Sequence, residues 1–385
     1  MHREVTMPLS IPALLQRCLP TEKNCYPLLI STLLLAGCHG LPQKTSTDSV
    51  AATAQTPELY KGTLTAEMLG IEQSLTMEQA LMKGDIAWSG GETDRAAAYY
   101  VRTIELANNA IKAELPDALN PGMENAEIKE TDNARDQGYL ASLKLAGLYQ
   151  QTGQQALAER IYQQVVNDHP YPVAALEALG LTRLQGRQNE QAEALLNRAV
   201  SLWRQQSENI GEHSERNAMT GYQPIRSLNA LGVLADLSKD YQRAERFYRE
   251  ALTLTPNDPT LLNNLGYSLY LAGQWPQAES HFRKALNIKP GYGRASRNLA
   301  LLYLRQHQQE EAISLLNTTM KSWEAFNDAG YLSLLAGNQA LAEQLLKQAL
   351  DHSPSHYELA WKNLGKVQQV NESLSSPADN LNPDQ

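Results

Sequence analysis

PTLLNNLGYSLYLAGQWPQAESHFRKALNIKPGY, running from Pro259 to Tyr292, is the stretch that decides the fold. Leu262, Leu265, Gly266 and Leu269 recur at three- and four-residue intervals, as on one face of a helix, and Ala278, Phe282 and Ala285 do the same further on. Two helices cross closely only where the residues at the contact are small. Bulky residues on both helices then fill the space beside it, and a proline such as Pro290 stops the second helix. The stretch before it, Ile225 to Asp258, repeats the arrangement with Leu228, Leu231, Gly232, Ala235, Ala244, Tyr248, Ala251 and Pro256. From Pro256 to Pro290 is one full period, so the unit recurs in register.

Weaker copies continue in both directions. Tyr139 to Tyr171 keeps Leu145, Ala146, Tyr149, Ala158, Tyr162 and Pro170; Val173 to about Ser207 keeps Leu176, Leu179, Gly180, Ala192, Leu196 and Ala199. Downstream, a shortened copy from Gly293 to about Ser322 has Leu299, Ala300, Tyr303, Ala312 and Leu316. Trp323 to His356 has Ala329, Gly330, Ala342, Leu346, Ala349 and Pro354, and an outlying copy from Met77 to about Lys112 has Gly84, Ala87, Ala96 and Tyr100. A period of about 34 residues carrying small, bulky and proline positions in this order resembles the tetratricopeptide repeat (TPR). The resemblance implies an all-α superhelical solenoid of about seven helix-turn-helix repeats.

Composition agrees with helices throughout. Leu, Ala, Gln and Glu dominate the 385 residues, only three are Phe, and no stretch beyond the N-terminal region alternates apolar and polar side chains as a half-buried strand does. The formal charge is −9 without a basic stripe, which argues against nucleic acid as a partner. Two segments break the period. Residues 113–138 hold seven acidic side chains against Lys129 and Arg135, and residues 205–224 insert between two good copies; solvated helix extension and surface loop is the reading preferred over a partner-specific lid. Tyr357 to about Val370 reads as a polar capping helix, and residues 371–385 as a disordered tail.

The N-terminus reads as an address. The three cysteines are Cys18, Cys25 and Cys38, so no disulfide can staple the repeats. From Tyr26 to Gly37 the chain is uncharged and apolar for about a dozen residues after Lys23, the length of a signal-peptide core and short of the roughly 20 residues of a spanning helix. Leu35-Ala36-Gly37-Cys38 resembles the bacterial lipobox. That resemblance implies a mature chain beginning at a diacylglyceryl-modified Cys38, held at a membrane surface by its acyl chains, with His39 in the next place implying the outer membrane, periplasmic side. Residues 39 to about 63, rich in Ser, Thr, Ala, Gln and Pro, form a flexible tether with a reach of roughly 25–30 Å. The expected organisation is therefore signal peptide 1–37, lipidated cysteine and tether 38–75, N-terminal repeats 76–207 with the acidic insertion 113–138, insertion loop 208–224, C-terminal repeats 225–356, capping helix 357–370 and tail 371–385.

Catalytic signatures lack their context. Gly291-Tyr292-Gly293 follows a helix-ending proline rather than a strand, so it is not a dinucleotide fingerprint, and Gly266-Tyr267-Ser268 lies inside a helix rather than at a nucleophile elbow. His352 and His356 flank Pro354 and do not share a helical face, so no metal site is expected. The lipid on Cys38 is the only non-protein group expected, and the chain reads as a non-enzyme.

Residues 225–365 resemble more than a generic repeat. Leu228-Asn-Ala-Leu-Gly-Val-Leu-Ala-Asp, Asn263-Asn-Leu-Gly-Tyr-Ser-Leu-Tyr-Leu-Ala-Gly, Asn298-Leu-Ala-Leu-Leu-Tyr, Asn327-Asp-Ala-Gly-Tyr-Leu and Ser353-Pro-Ser-His-Tyr are similar to the TadD lipoproteins of tight-adherence (Flp) pilus systems. The resemblance implies a protein partner in pilus assembly, in the first place the outer-membrane secretin; the alternatives are a type IV pilus pilotin, an adaptor for peptidoglycan hydrolases and, last, an enzyme. In a TPR superhelix the first helix of each repeat lines the concave face. Reading its positions not needed for intra-repeat packing gives a partner-binding groove of Asn229, Asn263, Arg297 and Asn327, with Asn264, Asn298, Tyr267 and Tyr331 nearby. Asn amides both donate and accept, which suits an extended peptide backbone. The other reading is that Asn favours the starts of these helices through capping.

Overall fold

The computed structural model describes residues 71–72, 74–114, 125–208 and 222–375. Cys38, the lipobox and the tether lie outside the described residues, as do most of the 205–224 insertion and the end of the tail. The described residues form seven helix pairs and one further helix. The pairs are α1 (Met77–Ser89) with α2 (Thr93–Glu114), α3 (Asn125–Gln151) with α4 (Gln155–Asp168), α5 (Val173–Gln185) with α6 (Asn189–Glu208), and α7 (Ile225–Leu237) with α8 (Tyr241–Leu254). They continue with α9 (Pro259–Leu271) and α10 (Trp275–Ile288), α11 (Gly293–Arg305) and α12 (Gln309–Asn317), and α13 (Ser322–Leu335) and α14 (Gln339–His352); α15 (Glu358–Ser375) follows without a second helix. No strand occurs among the described residues, and no helix among them is long and apolar enough to cross a membrane.

One contact recurs in five of the seven pairs, Ala146 and Ala300 standing in the glycine place of the other two. A Cβ placed on Gly266 would lie 2.7 Å from Phe282 Cε1, one on Gly232 would lie 2.5 Å from Tyr248 Cε1, and one on Gly330 would lie 2.7 Å from Leu346 Cγ. Gly84 meets Tyr100 and Gly180 meets Leu196 at 2.6 and 2.7 Å in the same way. The bulky side chain therefore occupies the volume that any larger first-helix residue needs. Ala278, Phe282 and Ala285 on α10 are fully buried, as are Ala244, Tyr248 and Ala251 on α8. With no disulfide expected among the repeats, this packing is what holds them.

The helix ends follow from local chemistry. Asp258 precedes α9 and accepts from the backbone N–H groups of Thr260 and Leu261 at 2.7 and 3.2 Å, while Pro259 opens the first turn, where a missing N–H costs nothing. Between the two helices of each pair the chain reverses through one residue of positive φ. Gly273 and Gly337 fill that place at no steric cost, but Arg187, Lys239 and His307 occupy it in three other pairs.

The chain divides into two compact units, with the boundary between Leu231 and Gly232 inside α7. In the N-terminal unit α3 begins at Asn125, so residues 125–138 of the acidic segment are helical and extend the first helix of their repeat. Residues 205–208 complete α6 rather than opening a loop. The buried Glu177 carboxylate of α5 accepts from both the backbone N–H and the hydroxyl of Ser227, each at 2.9 Å, and so meets the first turn of α7. There it satisfies an otherwise unpaired helix-terminal donor and complements the positive end of the helix dipole. In the C-terminal unit α15 runs on to Ser375, past the expected helix end at Val370.

Asp236, near the end of α7 and 1% exposed, is the unexpected buried charge of the C-terminal unit. Ser268 Oγ donates to it at 2.6 Å and Tyr248 Oη at 2.9 Å. Burial pushes its carboxyl up to about 7, against the opposing pull of those two hydroxyls. The folded chain thus holds this proton more tightly than the unfolded chain. The resulting stabilisation is complete below about pH 4 and is lost as the pH rises toward 7. Asp236→Asn removes the dependence: the melting temperature of the variant relative to the parent is expected to rise between pH 4.5 and 7.5, by an amount equivalent to a few kcal/mol. A difference that stays constant across that range would contradict this reading.

Candidate functional site

Counting each repeat so that the crossing glycine is the eighth residue, the expected groove asparagines fall at the fifth and sixth. Asn263 and Asn264 hold these places on α9, Arg297 and Asn298 on α11, and Asn327 and Asp328 on α13; Asn363 holds the sixth on α15. Side chains join them across successive first helices. Asn298 Nδ2 donates to Asn263 Oδ1 at 2.9 Å, Arg297 Nε to Asp328 Oδ2 at 2.6 Å, and Asn363 Nδ2 to Asn327 Oδ1 at 3.0 Å. Each time the fifth residue of one repeat bonds the sixth of the next.

This ladder corrects the groove expectation at most of its positions. Asn263 and Asn264 are 0% exposed, and Asn298 and Asn327 are 4% and 1%. They are out of reach of a partner. Nor do they cap helices: an amide supplies both donor and acceptor, so pairs of them satisfy each other in an interface packed too closely for water, where an unpaired polar group would cost about 1–3 kcal/mol. Asn263 Nδ2 also donates to Asn264 Oδ1 at 3.2 Å, which leaves little of that pair unused. Tyr267 is buried too, and so is Asn229 in the N-terminal unit.

Arg297 and Tyr331 remain within reach. The Arg297 side chain is 45% exposed above the ladder, and Tyr331 is half-buried with Lys366 Nζ 4.9 Å from its ring centroid. On α9 the half-buried Tyr270 stacks on Tyr267 with ring centroids 6.0 Å apart. Across α11, α13 and α15, Arg297 on Asp328 and Lys366 over the Tyr331 ring form one charged and aromatic strip. The guanidinium is accessible enough for a partner carboxylate to share it with Asp328, whose own side chain is 19% exposed. The rings offer contact area with few rotatable bonds to order.

Elsewhere in the same unit α12, with 9 residues where α8, α10 and α14 have 14, borders a shallow depression lined by Gln309, Ile313, Phe326, Gln344, Leu345 and Gln348.

Ser268, Gly291 and His352 hold structural places. Ser268 is fixed on Asp236, Gly291 has a φ of 79° in the turn from α10 to α11, and His352 tilts against Phe326 at 5.2 Å while His356 is exposed. Among the described residues no three His, Cys, Asp or Glu side chains gather as a metal-binding group.

Three family models described as tetratricopeptide repeat match residues 140–170, 225–258 and 258–325. These matches coincide with the helix pairs α3–α4, α7–α8 and α9 onward. The fold is a tetratricopeptide-repeat solenoid. Similar solved structures include a tetratricopeptide repeat protein from Parabacteroides merdae, 14% identical over 76% of this chain and 98% of that one, with a TM-score of 0.44. PilW, described as a widely conserved type IV pilus biogenesis factor, is 15% identical over 60% of this chain and 98% of its own, with a TM-score of 0.45. The pilF protein of Pseudomonas aeruginosa is 18% identical over 61% and 98%, with a TM-score of 0.43. No curated protein matches the chain. A TPR array buries its small and bulky residues between helices and leaves whole helix faces to solvent, which makes the chain a scaffold for protein–protein interaction.

Proposed function

We propose that this chain is a lipid-anchored periplasmic scaffold of the outer membrane, tethered through Cys38, that binds a protein partner during assembly of a tight-adherence (Flp) pilus apparatus, its secretin in the first place. The observation that carries the binding reading is the strip of Arg297, Asp328, Tyr331 and Lys366, an accessible aromatic and charged surface laid over a first-helix interface made rigid by the amide ladder. A surface whose backbone is ordered in advance binds without first spending energy on ordering itself. Support for the pilus system comes from the sequence of residues 225–365, with the TadD-like segments beginning at Leu228, Asn263, Asn298, Asn327 and Ser353, and from the lipobox Leu35-Ala36-Gly37-Cys38.

The test is affinity isolation of the tagged chain from cell envelopes, followed by mass spectrometry of what accompanies it. The chain should bring down a secretin-class outer-membrane protein. The double variant Arg297→Glu, Tyr331→Ala should lose at least tenfold of it while keeping the parent helical spectrum, because charge reversal and loss of an aromatic anchor are each worth about 1–2 kcal/mol or more in a desolvated interface. Recovery of peptidoglycan hydrolases in place of the secretin would refute the pilus assignment and leave the scaffold.

A further inference from the structure

We infer that α15 is a first helix without its mate, and that its open face receives an amphipathic helix from a partner protein. Its sequence Trp361-Lys362-Asn363-Leu364-Gly365 matches the W-x2-L-G opening of the repeat signature, with the exposed Gln368 at the place of its tyrosine, and Asn363 occupies the sixth place of the ladder as Asn298 does on α11. One side of α15 is filled as expected, with Leu364 and Val367 buried against Ala342 and Leu346 of α14. The other side is not. Trp361 is 54% exposed, and a Cβ built on Gly365 meets nothing within 4 Å, whereas the corresponding Gly84, Gly180, Gly232, Gly266 and Gly330 each meet the side chain of a second helix below 3 Å.

The seven complete pairs define what fits that face. In all of them an alanine stands twelve residues beyond the small first-helix residue and a Tyr, Phe or Leu sixteen beyond, as Ala278 and Phe282 do for Gly266. The occupant is therefore a helix of about four turns carrying Ala-x3-(Tyr, Phe or Leu) on one face. The following segment of this chain does not read as that helix: Pro377 takes the alanine place and Pro383 falls in what would be the helix interior, where it would remove a backbone donor and clash with the preceding turn. Another copy of the chain is a poor donor, because each second helix described already covers its own first helix. This leaves a partner helix, on a surface distinct from the Arg297–Tyr331 strip.

The test uses a fluorescent peptide with the sequence of residues 274–289, which contains α10, as the probe second helix, titrated with the purified chain and read by anisotropy. Saturable binding with a Kd in the micromolar range is expected, weakened at least tenfold by Gly365→Leu, and lost when the peptide carries Ala in place of Phe282. Gly365→Leu should leave the melting temperature unchanged or raise it, so lost binding is not lost folding. Trp361→Ala is the second variant and should also weaken the peptide. Absence of saturable binding, or equal binding by Gly365→Leu, would overturn the inference. So would concentration-dependent dimerisation of the chain that Gly365→Leu abolishes, since the occupant would then be a second copy.

Discussion

Gly266→Leu is expected to lower the melting temperature of the C-terminal unit by roughly 5–10 °C, the counterpart of about 3 kcal/mol for a unit of this size. The substitution improves helix propensity by almost 1 kcal/mol, so propensity alone argues for stabilisation. Packing decides otherwise. The first atom of the new side chain would lie 2.7 and 2.8 Å from two ring carbons of Phe282 and 3.2 Å from the carbonyl oxygen of Ala278. The ring is fully buried and has nowhere to go, so α9 and α10 must separate, which also strains the first-helix ladder that Asn263 makes with Asn298. Gly365→Leu is the matched control, with the same chemistry at the same repeat position and no atom in the way. Thermal melts followed by circular dichroism should separate the two variants widely. Equal melting would mean that the eighth-position glycine is not a packing requirement, and the repeat register would be wrong.

Cys38→Ser should change the fate of the whole molecule rather than its stability. A serine hydroxyl cannot form the thioether, so on the lipoprotein reading the variant remains an uncleaved, unacylated precursor, and acyl-dependent fractionation with the outer membrane is lost. Two or three acyl chains give stable anchoring where a single chain binds reversibly, at about 0.8 kcal/mol per buried methylene, so the expected loss is large. His39→Asp separates anchoring from sorting: it should remain lipidated but move toward the inner membrane. Intact-mass measurement of the native mature protein settles the first point, since a chain with an unmodified Cys38 contradicts it.

The helix pairs were legible in the sequence because their defining contact is local. Gly232 and Tyr248, or Gly266 and Phe282, belong to one repeat and face each other whenever both segments are helical, so spacing alone identifies them. The amide ladder was not legible for the opposite reason. Asn263, Asn298 and Asn327 stand out as recurring polar residues, but whether they point toward solvent or toward the next first helix depends on how repeats stack, and their partners lie 35, 35 and 36 residues away. A signal did exist: the fifth residue of one repeat and the sixth of the next form the complementary sets Asn263 with Asn298, Arg297 with Asp328, and Asn327 with Asn363. Asn363 was not legible for the same reason, since its partner Asn327 belongs to the preceding repeat. Asp236 carried its own hint, a carboxylate within the apolar run Leu231-Gly-Val-Leu-Ala-Asp236, whose partners Tyr248 and Ser268 come from two other helices.

If a protein partner sits on the first-helix strip of the C-terminal unit, site-specific photocrosslinking in living cells will capture it there. A photoreactive phenylalanine derivative replaces Tyr331 in the strip, keeping a ring there and leaving Arg297 in place, and separately replaces Ile313 beside α12. Neither place is fully buried, so both variants should fold and reach the envelope equally. A discrete higher-mass adduct is expected from position 331, lost when Arg297→Glu is added, with no such adduct from position 313. An adduct from 313 with none from 331 would place the partner on the second-helix side and contradict this reading.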